Sequence, residues 1–429
     1  MAAAIHANLI SPAIHAPQLA RAAERMRCAL LWLTGLSGGF VFVEPSPYEV
    51  CSLVTIIVFV ITGLSLRAAL LPLIAMLMLY GLGFGIATIQ VSDQGKSVVW
   101  TAVSWYLIVT AIFYAAMLGT NTTQRLWLLL QGYMVAAVVA SIIAVLAYFR
   151  AFGDYSDMFL LYDRARGTFN DPNVLGAFVI LPALLAFQRV LVGRLAAAIG
   201  GAILLAVFTA ALLLSFSRAA WGQFALGSLL VMFLTFVTSR SGQERLRIIL
   251  VALAGVMLLA LLIVALLSVD RVAELFNARA ALEQSYDLGP MGRFGRYLPG
   301  FILALQEPFG IGPLQFSHFF PEDPHNTYLN TFMSGGWLSG CMYAAMTLIT
   351  LVRGLRFVFV ATPWRPIYLV IYAAFVGTAV ESAIIDSDHW RHYFLLLGVL
   401  WGLMAVARGS AGRTAAARRP ALAQVGAAA

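Results

Sequence analysis

Apolar runs of about 17 to 25 residues recur along the whole chain, and a run of that length, coiled as an α-helix, matches the hydrocarbon thickness of a bilayer. The 429 residues are 61% hydrophobic and only 11% charged, with a mean hydropathy of +0.88. A water-soluble protein has too little interior to hide that much apolar surface. The runs are continuous rather than alternating, which excludes a transmembrane β-barrel. The expected fold is therefore all-α: a polytopic membrane protein of about 12 transmembrane helices, at roughly 28–43, 48–66, 68–90, 97–119, 125–149, 173–190, 195–215, 220–238, 248–268, 325–351, 366–384 and 391–407.

Charge orients these spans. With the N-terminus placed in the cytoplasm, the inner segments hold Arg21, Arg25, Arg27, Arg67, Arg125, Arg189, Arg194, Arg240, Arg245, Arg247, Arg353, Arg356, Arg365, Arg408, Arg413, Arg418 and Arg419. That is 17 of the 27 basic residues, accompanied by only two acids, Glu24 and Glu244. Basic residues concentrate in cytoplasmic loops, so both termini are expected inside. The partition reads as a cytoplasmic N-terminal tail (1–27), nine spans (28–268), one large extracytoplasmic loop (269–324), three further spans (325–407) and a disordered cytoplasmic tail (408–429). The N-terminal stretch lacks the compact apolar core of a signal peptide. The net charge of +8 reports orientation, not affinity for nucleic acid. Cys28, Cys51 and Cys341 fall in apolar runs and offer neither a disulfide framework nor a metal spacing.

Chemistry is expected where basic residues break the orientation rule. Arg164 and Arg166 lie in DRARGTFNDPN, Arg218 in LSFSRAAW, and Arg293 and Arg296 in MGRFGRY. All five fall at the outer boundary, where an arginine either snorkels or meets an anion. The guanidinium fork suits phosphate because it is planar, doubly donating and always charged. Asp171 before Pro172 marks a helix start, so Asn170, Asp171 and Asn173 either cap the sixth span or shape a site at its outer end. His325, in DPHNTYLN, opens the tenth span and is a candidate general base; His318 in the loop is a weaker one. The last outer loop, VESAIIDSDHWRHYF, gathers Glu381, Asp386, Asp388, His389 and His392. Its spacing matches no metal signature, and an ion-paired network with Arg391 is the expectation there.

Taken together, RGTFNDPNVLGAF, SFSRAAW, GRFGRYLPGFILALQEPFGIGPLQF and PHNTYLNTFMSGGWLSG resemble the O-antigen ligase and polymerase superfamily over roughly residues 160 to 340. The resemblance implies a GT-C-like bacterial inner-membrane protein with its large loop in the periplasm. It implies a glycosyltransferase, inverting and metal-independent, that needs no cofactor. The implied donor is a glycan on undecaprenyl diphosphate, and the acceptor is lipid A–core (ligase) or the growing glycan (polymerase of O-antigen or exopolysaccharide). On this reading His325, Arg218 and Arg293 are catalytic, with His325 as base and the arginines on the diphosphate. Arg164, Arg166, Arg296, Asn170, Asp171, Asn326 and Glu381 bind substrate. A transporter of the same lipid-linked glycan is the alternative of another class; the absence of a convincing internal repeat and the crowding of ionisable residues at one face speak against it.

Overall fold

Helix occupies most of each apolar run. The structure, a computed structural model, describes residues 12–92, 94–268, 294–320 and 323–426, with isolated positions between 270 and 292. In chain order the helices are α1 (Pro12–Ser37), α2 (Pro47–Ile61), α3 (Leu71–Ile89), α4 (Gln94–Met117), α5 (Thr122–Tyr148), α6 (Pro172–Val192), α7 (Leu195–Leu214), α8 (Arg218–Thr238), α9 (Gly242–Leu267), the short α10 (Tyr297–Gln306), α11 (Thr327–Val358), α12 (Arg365–Glu381) and α13 (Arg391–Gly426). Among the described residues, seven helices are long and apolar enough to cross a membrane by length and composition: α3 with the 3-10 turn before it, α4, α5, α6, α7, α8 and α11. The sheet is a two-stranded antiparallel hairpin, β1 (Leu160–Leu161) with β2 (Arg164–Ala165).

The molecule is apolar outside as well as inside. Ile61, Ile89, Leu195 and Val256 are all exposed, as lipid-facing positions must be. α6 is the most buried of these seven helices and packs on α5, α7, α8, α9 and α12. Between helices the contacts are small-residue seams and paired hydroxyls. α1 and α5 meet where Gly35 faces the Leu129 carbonyl and Gly132 faces that of Trp32; a Cβ at either glycine would overlap backbone. Tyr48–Tyr114, Thr34–Thr55 and Thr88–Thr101 hydrogen bond across helices at 2.9, 2.7 and 2.7 Å. Such close backbones and side-chain bonds hold helices together where lipid is as apolar as leucine.

The two ends of the bundle differ in charge. At the basic end the arginines close helix termini. Arg27 donates to the Thr62 carbonyl at the end of α2, Arg67 to Gly119 and Arg125 to Met117 after and within the last turn of α4, and Arg247 to Gly193 at the end of α6. Unsatisfied carbonyls and the negative end of the helix dipole both favour a cation there. Glu24 pairs with Arg125 at 2.7 Å, and that guanidinium pulls its carboxyl down to about 2.

The opposite end holds the site. Here α11 is kinked at Gly336, which has φ 68°. The EPFGIGP turn fits into the kink: Ile311 N donates to the Met333 carbonyl at 2.7 Å and Trp337 N to that of Pro308 at 2.9 Å. The large loop is thus not a purely aqueous excursion. Its α10 also exposes Leu298, Phe301 and Leu305. At the other terminus α13 runs on to Gly426, through the stretch 408–429 expected to be disordered. Alanine and arginine are strong helix formers.

Candidate functional site

His325 owes its position to a staple between two chain segments. Asn326 caps α11, its Oδ1 accepting from Leu329 N at 3.1 Å. Thr327 N donates to the Ser382 carbonyl at 2.8 Å, and Thr327 Oγ1 bonds both the Ile385 carbonyl (2.8 Å) and Ser387 N (2.7 Å). The start of α11 is thereby sewn to the connection between α12 and α13. His325 itself takes the left-handed conformation, φ 48°, uncommon for a side chain of its size. The result is an imidazole Nδ1 3.1 Å from Asp386 Oδ2, both side chains partly open to the outside. The remaining ring nitrogen, Nε2, has no protein partner among the described residues.

Tyr297, at the start of α10, reaches over the same point. Its hydroxyl lies 3.2 Å from the His325 carbonyl and 3.1 Å from that of Ala383. The preceding residue, Arg296, is 1% exposed, with Nε donating to the Gly292 carbonyl at 3.3 Å. Arg293, assigned a catalytic part above, lies outside the described residues.

Arg218 begins α8, half-buried, behind the N-cap Ser217. α8 packs on α12, Gln223 in the second turn of α8 standing against Thr378 near the end of α12, and α12 ends under the His325 staple. Glu381 is the last residue of α12 and is 2% exposed. With the Gln223 amide oriented to donate, its nitrogen is 2.7 Å from Glu381 Oε2. This carboxyl is buried at the end of α12, and its Oε1 has no hydrogen-bond partner among the described residues.

The loop before α6 is tied down by its own polar residues. Tyr162 and Asp163, both at positive φ, turn the hairpin. Arg164 Nε donates to the Ser215 carbonyl at 2.8 Å and Nη2 to Asn173 Oδ1 at 2.8 Å, joining the end of α7 to the start of α6. Arg166 donates to the carbonyls of Met158 (3.0 Å) and Asn170 (3.4 Å). Asp171 caps α6, accepting from Asn173 N at 2.6 Å, as its place before Pro172 predicts. Asn170, with its amide turned to donate, reaches the Phe42 and Val41 carbonyls. It lines a separate cavity of about 200 Å³ together with Tyr48, Tyr133, Trp390, Arg391 and His392.

The acid and histidine cluster after α12 divides among different partners. Arg391 pairs with Glu49 at 2.6 Å and Glu44 at 3.2 Å, on and before α2, not with the neighbouring aspartates. The expected local network is therefore a clamp between the two ends of the chain. Asp388 is buried and accepts from Asn330 Nδ2 at 3.1 Å; Asn330 in turn accepts from Ser334. Burial, with the charge of Asp386 nearby, pushes the Asp388 carboxyl up to about 7. His389 stacks on Trp100 at 4.0 Å, bonds Ser104 Oγ at 2.8 Å, and is held by burial down to about 3. Asp386 as the partner of His325 was missed, because no spacing rule links a residue in one outer loop to a residue in another.

Fold and site together define a multi-pass helical membrane protein with its chemistry gathered at one end of the bundle. Residues 201–344, the stretch from α7 into α11, match the family model described as O-antigen ligase. That stretch includes Arg218, Arg296, His325 and Asn326; Asp386 and Glu381 follow it, and Arg164 to Asp171 precede it. No curated protein matches the chain.

Proposed function

We propose that the protein transfers a glycan from undecaprenyl diphosphate to an acceptor sugar hydroxyl, with lipid A–core as the acceptor, at the periplasmic face of the bacterial inner membrane. The spans are the seven long apolar helices together with α1, α2, α9, α12 and α13, both termini are cytoplasmic, and the basic end faces the cytoplasm. The observation that carries the reading is His325: its Nδ1 is held by Asp386 and its Nε2 is left for a substrate, at the end of α12, on which the Arg218 helix packs. A histidine oriented through one nitrogen is set up to use the other as a base.

The reaction is a single displacement. The acceptor hydroxyl oxygen attacks the anomeric carbon as its proton passes to His325 Nε2. The bond from that carbon to the diphosphate oxygen breaks, and the electron pair leaves with the diphosphate. Asp386 stabilises the imidazolium that forms. Arg218, with Arg293, neutralises the growing charge on the leaving group, the term that usually contributes most to such catalysis, while the buried Arg296 holds the start of α10 in place. One displacement inverts the anomeric configuration. A covalent glycosyl intermediate would need an accessible carboxylate nucleophile; Glu381 is too deeply buried for that part. Arg164, Arg166 and Asp171 shape the neighbouring loop, while Asn326 caps the helix that presents the base.

A lipopolysaccharide gel from a strain lacking the protein, with immunoblotting of the lipid-linked glycan, tests the assignment. Loss of the whole ladder while long glycan accumulates on the lipid carrier identifies ligation. A core bearing a single repeat unit identifies polymerisation instead. An unchanged gel removes the lipopolysaccharide assignment and moves the reaction to another polysaccharide.

A further inference from the structure

The basic end carries a cleft that the transfer reaction does not use. It opens among α1, α5, α6 and α12 and encloses about 500 Å³. Trp32, Trp127, Met134 and Leu185 give it an apolar wall, and Arg189 joins the lining. A second hollow of about 490 Å³ adjoins it at Pro366 and is lined by Arg240 and Arg365. Pro366 borders both spaces, so the two hollows adjoin and together are lined by Arg189, Arg240 and Arg365.

These arginines differ from their neighbours. Arg27, Arg67, Arg125 and Arg247 direct their donors at helix-terminal carbonyls or at Glu24. Among the described residues, the side chains of Arg189, Arg240 and Arg365 have no hydrogen-bond, ion-pair or ring partner. Of the two acids on this side, Glu24 is already engaged by Arg27 and Arg125. Arg365 also opens α12, where the positive end of the helix dipole disfavours a cation that lacks a counter-charge. Helix-end bonding therefore explains the first set of arginines, whereas Arg189, Arg240 and Arg365 line the two adjoining hollows with their donors unused.

We propose that the cleft holds an anionic phospholipid, its phosphodiester against Arg189, Arg240 and Arg365 and one acyl chain along the Trp32–Trp127 wall. Guanidinium forks match phosphate oxygens, and basic pockets between helices on the cytoplasmic side select anionic headgroups. Tryptophans favour the boundary between headgroup and hydrocarbon. Free phosphate would satisfy the arginines but leave the apolar wall empty, so the lipid is the occupant that uses both.

The test is native mass spectrometry of the full-length protein in mild detergent, titrated with phosphatidylglycerol or with phosphatidylcholine of the same acyl chains. Phosphatidylglycerol should load at a concentration about fivefold or more lower, the factor expected when even one arginine meets the headgroup charge. Arg189→Gln, Arg240→Gln and Arg365→Gln together should erase that preference, whereas Arg356→Gln, also basic-end but outside the cleft, should leave it intact. Trp127→Ala should weaken both lipids alike. Where the triple variant is polydisperse on size exclusion, the three single variants are read instead, each lowering the preference. Equal loading of the two lipids by the unaltered protein, or a preference that survives the arginine substitutions, overturns the proposal. Displacement of the lipid by millimolar inorganic phosphate overturns the acyl-chain part and leaves an anion site alone.

Discussion

His325 Nδ1 and Asp386 Oδ2 stand 3.1 Å apart, brought together from the beginning of α11 and the far side of α12. The aspartate turns a loop histidine into an oriented one. Substituting Asp386→Asn should lower the turnover of glycan transfer about tenfold or more, by analogy with other oriented histidines. The Michaelis constant for the lipid-linked donor should stay near its original value. His325→Ala should cost roughly 100-fold or more, again with donor binding retained. A transfer assay with purified protein and labelled lipid-linked glycan reads both, and full activity in either variant removes that residue from the mechanism.

Two arginines near one another should fail in different ways. Arg164 bonds the Ser215 carbonyl and Asn173, so Arg164→Ala should lower stability by about 1–3 kcal/mol through lost charged hydrogen bonds. Its activity should fall only as far as the start of α8 is disturbed. Arg218→Ala should abolish transfer while the protein still inserts and melts cooperatively. Thermal melts beside transfer rates separate the two effects, and equal loss of stability in both variants would contradict the division.

Asp388 and His389 predict opposing effects of acid on stability. Asp388 is held up at about 7, above the 3.8 of a free carboxyl, so its contribution is complete below about pH 4 and is lost as pH rises to 7. His389 is held down at about 3, below the free value of 6.5, so its contribution is complete above 6.5 and is lost as pH falls towards 3. Between pH 4 and 6.5 the two slopes offset each other. Melting temperatures of Asp388→Asn should fall on acidification through this window, and those of His389→Gln should rise. Parallel curves for both variants and the unaltered protein would sink the assignment.

Gly336 tests the docking of the large loop. A Cβ there would lie 2.5 Å from the Pro308 carbonyl oxygen, on a backbone with φ 68°. Gly336→Ala should destabilise by about 1–3 kcal/mol from strain and expose the EPFGIGP turn to protease. An unchanged digestion pattern would show that the turn is not held by the kink.

The apolar runs, the Asp171–Pro172 helix start, the Asn326 cap and the one-sided arginines were legible because each is a local signal. Run length, capping chemistry and charge bias need no knowledge of what lies opposite. The site was legible in part. His325 and Arg218 stood out as polar residues in an apolar context, but the pairing of His325 with Asp386 did not. The burial of Glu381 was not legible, because sequence position gives depth along a helix but not the face it presents. Arg391 was misread because its partners, Glu44 and Glu49, lie near the other end of the chain.

By itself the sequence determined the helical class, the apolar runs and the sorting of charge between the two ends, since a bilayer imposes those through length and solvation alone. Tertiary structure decided which polar groups meet. The staple of Thr327 to the Ser382–Ser387 turn brings Asp386 to His325, and the kink at Gly336 seats the loop beside them. Contacts between distant segments depend on how helices pack, and packing is set by the complementarity of whole faces, which no local pattern encodes.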